Sequence, residues 1–196
     1  MNFTTREITL TALFAAMAVV AAMLVRFGSA IVPFSLLPFV VLLAGGILGS
    51  RLGALSMALY VLMGLVGLPV FAKPPFGGPM YVLSPTFGFL LGFIAAAWVT
   101  GILLSKKENH SYLRYVLASL IGLVVIYLCG LPYLYIIMNF YLGQSMDVMK
   151  VLQVGLLPFI VPDLFKALAA AVLAKQVRQR LASTASLATA DSLEQK

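Results

Sequence analysis

The stretch LLPFIVPDLFKALAAAVLA, residues 156–174, is apolar throughout except for one acid and one base, Asp163 and Lys166. A helix that crosses a bilayer needs about 20 apolar residues, and this run, continued to residue 181, meets that length. Polar and apolar residues do not alternate, which excludes a barrel strand. An ionisable side chain inside a membrane is costly, so it faces a cavity or a partner. Asp163 and Lys166 stand at i,i+3 and share one helix face. Lys175 marks the polar edge twelve residues beyond Asp163, which puts the acid about 18 Å above that edge. Pro158 and Pro162 precede the pair, and each removes a backbone donor. A helix broken or begun there would expose backbone polar groups to a cavity. Two readings follow: a polar ligand pocket, or an intrahelical ion pair that only supports packing.

The rest of the chain has the same character. Of its 196 residues, 62% are hydrophobic and 10% charged, and the mean hydropathy is +1.07. Soluble domains carry about 25% charged residues, so a small soluble enzyme, a disordered chain and a nucleic-acid binder are excluded. The expected fold is all-α and membrane-integral, with six transmembrane helices over residues 8–25, 32–48, 52–70, 86–104, 113–139 and 156–181. The tail, 182–196, is polar and expected to be disordered. The first apolar run is too long for a cleaved signal peptide and reads as a retained helix.

Six spans put both termini on one side. Nine cations would lie there: Arg6, Arg51, Lys106, Lys107, Arg114, Lys175, Arg178, Arg180 and Lys196. Three would lie opposite, Arg26, Lys73 and Lys150, with Lys166 inside a span. Because Lys and Arg collect in cytoplasmic loops, both termini are expected in the cytoplasm. The net charge of +7 therefore reports topology rather than nucleic acid.

No catalytic constellation can be assembled, and an enzyme is not expected. GGILGSRLG, residues 45–53, lacks the Lys-Ser/Thr of a phosphate-binding loop. Cys129 is the single cysteine, so an intramolecular disulfide is excluded, and CxxC or Cys/His metal spacing is absent. The outer segment AKPPFGGPMYVLSP, residues 72–85, cannot be regular helix throughout. It reads as a mobile lid or a folded-back plug, with Phe76, Gly77 and Gly78 at its tip. Tyr81, Thr86 and Tyr127 are candidate pocket-wall residues. Small residues recur at AxxxA spacing, Ala12/Ala16 and Ala18/Ala22, and at GxxxG spacing, Gly45/Gly49/Gly53. Such spacing lets helices approach closely, either within the bundle or against a partner.

Four motifs carry a resemblance over nearly the whole chain. TALFAAMAVVAA (11–22), LLAGGILGSRLGALSMALYVLMGLVGLPVFA (42–72), SPTFGFLLGF (84–93) and LPFIVPDLFKA (157–167) resemble, in order, segments of the BioY family of bacterial biotin transporters. The resemblance implies a substrate-capture S component of an energy-coupling-factor (ECF) transporter in the bacterial plasma membrane. Such a protein holds its vitamin in an outward pocket. It docks through the first-helix AxxxA surface, here Ala12 and Ala16, on a transmembrane coupling subunit mounted on two ATPases. It implies no cofactor for this chain, since ATP is used only by the partner subunits. The family's D-L-x-K residues line the biotin pocket and carry over to Asp163 and Lys166. The sequence departs from the family at Leu37–Pro38, where a Gln is usual, at Ser84 and Phe87, where Gly is usual, and at Val161–Pro162, where Pro-Gly is usual. Capture of another small vitamin and a ligand-free membrane scaffold are the alternatives, and a homodimer is left open.

Overall fold

The computed structural model describes residues 3–28, 35–104 and 111–194. Helices dominate, and no strand occurs among the described residues. They are α1 (Thr5–Gly28), α2 (Leu37–Leu65), α3 (Phe87–Leu103), α4 (Tyr112–Ile136), α5 (Val148–Gly155) and α6 (Leu157–Glu194), with a short 3-10 turn at Pro79–Leu83. Four segments are long and apolar enough to cross a membrane: Thr5–Phe27, Leu37–Leu65, Tyr112–Tyr141 and Leu157–Leu181. Helix α3 is apolar but shorter.

Helix α2 is two arms rather than one rod. Gly49 interrupts it with φ 81° and ψ −177°, a left-handed conformation that glycine adopts without a side-chain penalty. A Cβ on Gly53 would lie 3.0 Å from the Ala44 carbonyl oxygen. In a straight helix those residues would be about 13 Å apart, so the chain doubles back at Gly49. This is the point at which the sequence separates its second and third apolar runs. The glycine spacing thus serves the interior. Gly45 lies against the Ala97 carbonyl of α3, where a Cβ would come within 2.5 Å, and Gly101 lies against the Ser50 backbone, where a Cβ would come within 2.1 Å.

Helix α1 begins with a reciprocal cap. Thr4 Oγ1 accepts from the Glu7 N–H at 3.3 Å, and Glu7 Oε2 accepts from the Thr4 N–H at 2.9 Å. Ala18 and Ala22 are fully buried against the bundle, whereas Ala12 and Ala16 are exposed. One small-residue pair packs inward and the other faces out. Trp98 is half-exposed on the outer surface.

Cations gather at one end of the bundle. Arg51 stacks on Phe3 with its guanidinium carbon 4.8 Å from the ring centre, and Lys175 lies 3.4 Å above the Tyr112 ring. Arg114 and Arg178 donate to the last carbonyls of α3, at Leu103 (2.9 Å) and Leu104 (2.8 Å), offsetting the helix's negative end. At the other end Arg26 lies 3.8 Å above the Phe76 ring.

Two elements differ from the sequence expectation. The connection between the expected spans 113–139 and 156–181, to which no helix is assigned from sequence, holds α5, started by Asp147, whose side chain accepts from the Lys150 N–H at 3.1 Å. Helix α6 continues along the backbone to Glu194, beyond the span end at residue 181 where a disordered tail is expected. The segment is rich in Ala and Leu, both strong helix formers, so helix geometry can outlast the apolar stretch. Residues 32–34 of the second expected span, and Lys106, Lys107 and Lys196 of the charge count, lie outside the described residues.

Candidate functional site

The end of the bundle that carries Arg26 encloses a cavity of about 350 Å³, within the usual range for small-ligand sites. Every helix contributes to its wall: Val25 from α1, Leu37 and Tyr60 from the two arms of α2, Phe89 and Phe93 from α3, Tyr127 from α4, Val154 from α5, and Phe159 and Asp163 from α6. The wall is mostly apolar and aromatic, with polar atoms in two groups.

The deeper group centres on Asp163, which is 5% exposed. Lys166 Nζ lies 2.7 Å from Asp163 Oδ1 and donates to the Ser35 carbonyl, also at 2.7 Å. The Tyr127 hydroxyl donates to Asp163 Oδ2 at 2.7 Å. Each carboxylate oxygen therefore holds one charge-compensating or neutral donor, and each keeps acceptor capacity for a ligand N–H. The local reason is plain. Helix α6 starts at Leu157, and Pro158 falls in the first turn, where no intrahelical donor is required. Pro162 withdraws the donor that the Pro158 carbonyl would otherwise receive. Two turns into the helix, Asp163 meets α4, and Lys166 reaches back to the segment before α2.

The second group lies in the loop between α2 and α3. The Tyr81 hydroxyl is 3.1 Å from Thr86 Oγ1, which is 3.0 Å from Ser84 Oγ. Burial raises the Tyr81 phenol above its ordinary value, against the opposing hydrogen bonds from Thr86 and Ser84, so it remains a neutral donor at physiological pH. Phe71 is 1% exposed, tilted 4.2 Å from the Tyr81 ring and edge-on to Tyr60 at 5.7 Å.

Of the residues singled out from sequence, Asp163, Tyr127, Thr86 and Tyr81 border the one cavity, and Lys166 stands one bond behind it. Phe76, Gly77 and Gly78 do not border it. A Cβ on Gly77 would sit 2.2 Å from the Leu68 carbonyl oxygen, and Gly78 N–H donates to the Gly64 carbonyl at 2.7 Å. These residues pack on the end of α2, and the loop meets the cavity through Phe71, Ala72, Lys73 and Tyr81 instead. The aromatic wall was not legible as such. Phe71 closes the GLPVF run just before the Pro-Gly loop, its only sequence signal. The Ser35 carbonyl has none, being backbone.

Taken together, these features define a class: a small, all-helical, multi-pass membrane protein with an apolar ligand cavity that carries a buried ion pair. Comparison with known proteins narrows it. The chain matches the BioY family over residues 1–183 and belongs to it. It is 40% identical over 173 residues to a probable biotin transporter BioY of Lysinibacillus sphaericus, covering 88% of this chain and 87% of that one. It is also 40% identical over 148 residues to the biotin transporter BioY of Thermotoga maritima, covering 76% and 82%. Its fold is similar, with a TM-score of 0.72 at 21% identity over 91% of this chain and 95% of the other, to a crystal structure of the S-component for biotin from an ECF-type ABC transporter. This is a family of transporters, not of enzymes.

Proposed function

We propose that this protein captures biotin for uptake across the plasma membrane, as the substrate-binding S component of an ECF transporter. The observation that carries the reading is the Asp163 carboxylate, set in an apolar cavity and held by Lys166 and Tyr127. Biotin offers a planar ureido group with N–H donors, an apolar bicycle and a short acid chain. Asp163 accepts the ureido N–H groups in charge-assisted bonds, and the aromatic wall covers the bicycle.

In this reading the two arms of α2 each cross the membrane, giving six crossings with both termini cytoplasmic. The clustering of Arg51, Arg114, Lys175 and Arg178 at the end opposite the cavity supports that orientation. The pocket then opens outward, and the loop 72–85 closes over it as a lid. Ala12 and Ala16, exposed on α1, form the docking stripe for a transmembrane coupling subunit carried on two ATPases. ATP is consumed there and not by this chain.

A second reading is capture of a different small vitamin. Leu37 and Pro38 favour it, since they stand where the resemblance expects a Gln and both line the cavity. Calorimetry on the purified protein with biotin and a panel of water-soluble vitamins decides between them. Saturable binding of biotin alone supports the first reading; binding of another member without biotin refutes it.

A further inference from the structure

The cavity carries a net positive charge, and its source is Lys73. Asp163 and Lys166 cancel at 2.7 Å. Lys73 borders the same cavity yet is exposed, which places it at the mouth. Among the described residues no carboxylate pairs with it, and the undescribed residues 29–34 contain no acid. Asp147, on the outer connection, is engaged as the cap of α5. Tyr81 and Thr86, whose hydroxyls lie 3.1 Å apart, line the same wall. A second cation, Arg26, is held nearby by the Phe76 ring and by a 3.4 Å bond to the Pro69 carbonyl.

From this arrangement we infer that Lys73, with the Tyr81 and Thr86 hydroxyls, is an anion subsite that selects a monocarboxylate ligand and fixes its direction in the cavity. The inference rests on the biotin reading and adds to it an orientation and a specificity. The deep end cannot take the acid group: a ligand carboxylate there would face Asp163, a like charge in a poorly solvated place. Lys166 does not change this, because its charge is already balanced by Asp163 at 2.7 Å and it stands behind the cavity wall rather than in it. The mouth has the opposite balance, a cation without a carboxylate and neutral hydroxyl donors. The ligand therefore enters ureido end first, and its acid stays under Lys73. Neutral amides or esters of the same ligand keep the deep contacts and lose the outer one.

The test uses the full chain in detergent, with biotin and its neutral amide, biotinamide, as probes. The wild type is expected to bind the acid about tenfold more tightly than the amide, the scale of one hydrogen bond to a charged group. Lys73→Met is expected to bring the acid down to the amide's affinity and leave the amide unchanged, and Lys73→Arg to keep most of the preference. Rising salt should shrink the acid-to-amide ratio in the wild type and not in Lys73→Met, since an exposed charge is screened. An unchanged ratio in Lys73→Met overturns the subsite while leaving the biotin reading intact. A wild type that binds neither probe overturns both. A Lys73→Met protein that loses acid and amide equally shows a general structural role and also overturns the subsite.

Discussion

Replacing Lys166 with Met removes the cation and keeps the length of the side chain. Asp163 is then left 95% covered with only the neutral Tyr127 hydroxyl on its Oδ2, and Ser35 loses its donor. Removing one partner of a buried pair costs about 3–5 kcal/mol in soluble proteins, because the remaining charge is desolvated and uncompensated. At about 1.4 kcal/mol per decade, that is a hundredfold or more if the loss falls on binding. The single variant cannot say whether it does, since stability would suffer as well. The double variant Asp163→Asn/Lys166→Met separates the two. It buries no charge, so its thermal midpoint in detergent should return to near that of the wild type. Its biotin affinity, read by calorimetry, should stay at least a hundredfold below wild type, because the anionic acceptor for the ureido N–H groups is gone. A double variant that recovered both stability and near-native affinity would show that the pair only neutralises itself, and the pocket chemistry proposed here would fail.

That pair was legible in the sequence because the membrane makes it costly: an acid and a base do not persist in an apolar run without a cavity or a partner. Other features were legible only in part. The reversal at Gly49 follows from a glycine-rich break between two apolar runs, but the same GxxxG spacing could equally have served a partner. Ala12/Ala16 and Ala18/Ala22 have the same spacing and opposite exposure. In a lipid-facing chain hydropathy does not separate inside from outside, so spacing shows that helices can approach there and not which helix does. The aromatic wall was hidden for the same reason. Phe93 is buried beside the cavity, while Phe140 is 81% exposed and Phe165 is 70% exposed, and nothing local to these phenylalanines distinguishes lipid from ligand. Helix α5 is too short to register as an apolar span. In the loop, Pro and Gly mark where helix must stop, but not which side of the turn faces the cavity. Phe71 and Lys73 border it and Phe76 does not, a difference the Pro and Gly positions do not show.

Three further outcomes are expected. Ala12→Trp or Ala16→Trp should abolish ATP-driven biotin uptake in cells that supply the coupling subunits while sparing binding, because both positions are exposed and a large ring there blocks close approach; undiminished uptake would place docking elsewhere. Gly101→Val should destabilise the bundle by several degrees in a thermal scan, since a Cβ would lie 2.1 Å from the Ser50 backbone nitrogen; an unchanged midpoint would refute the close approach of α3 to the turn of α2. The last concerns the loop 72–85 as a lid. Phe76 holds φ at 67°, a left-handed conformation that costs a bulky residue about 1–2 kcal/mol. The Arg26 stack and the backbone bonds Phe71 N–H to Phe76 O and Phe76 N–H to Lys73 O, both 2.8 Å, offset that cost. Strain of this kind collects in clamps and switches. Ligand packed beneath Phe71 and Tyr81 would add contacts that only the closed loop can make, so binding should shift the loop toward closure. A spin label on Phe76→Cys, in a Cys129→Ala background, should therefore lose mobility and solvent access when biotin saturates the pocket. Spectra identical with and without ligand would mean that the loop is a fixed cover, and that biotin reaches its site by another opening.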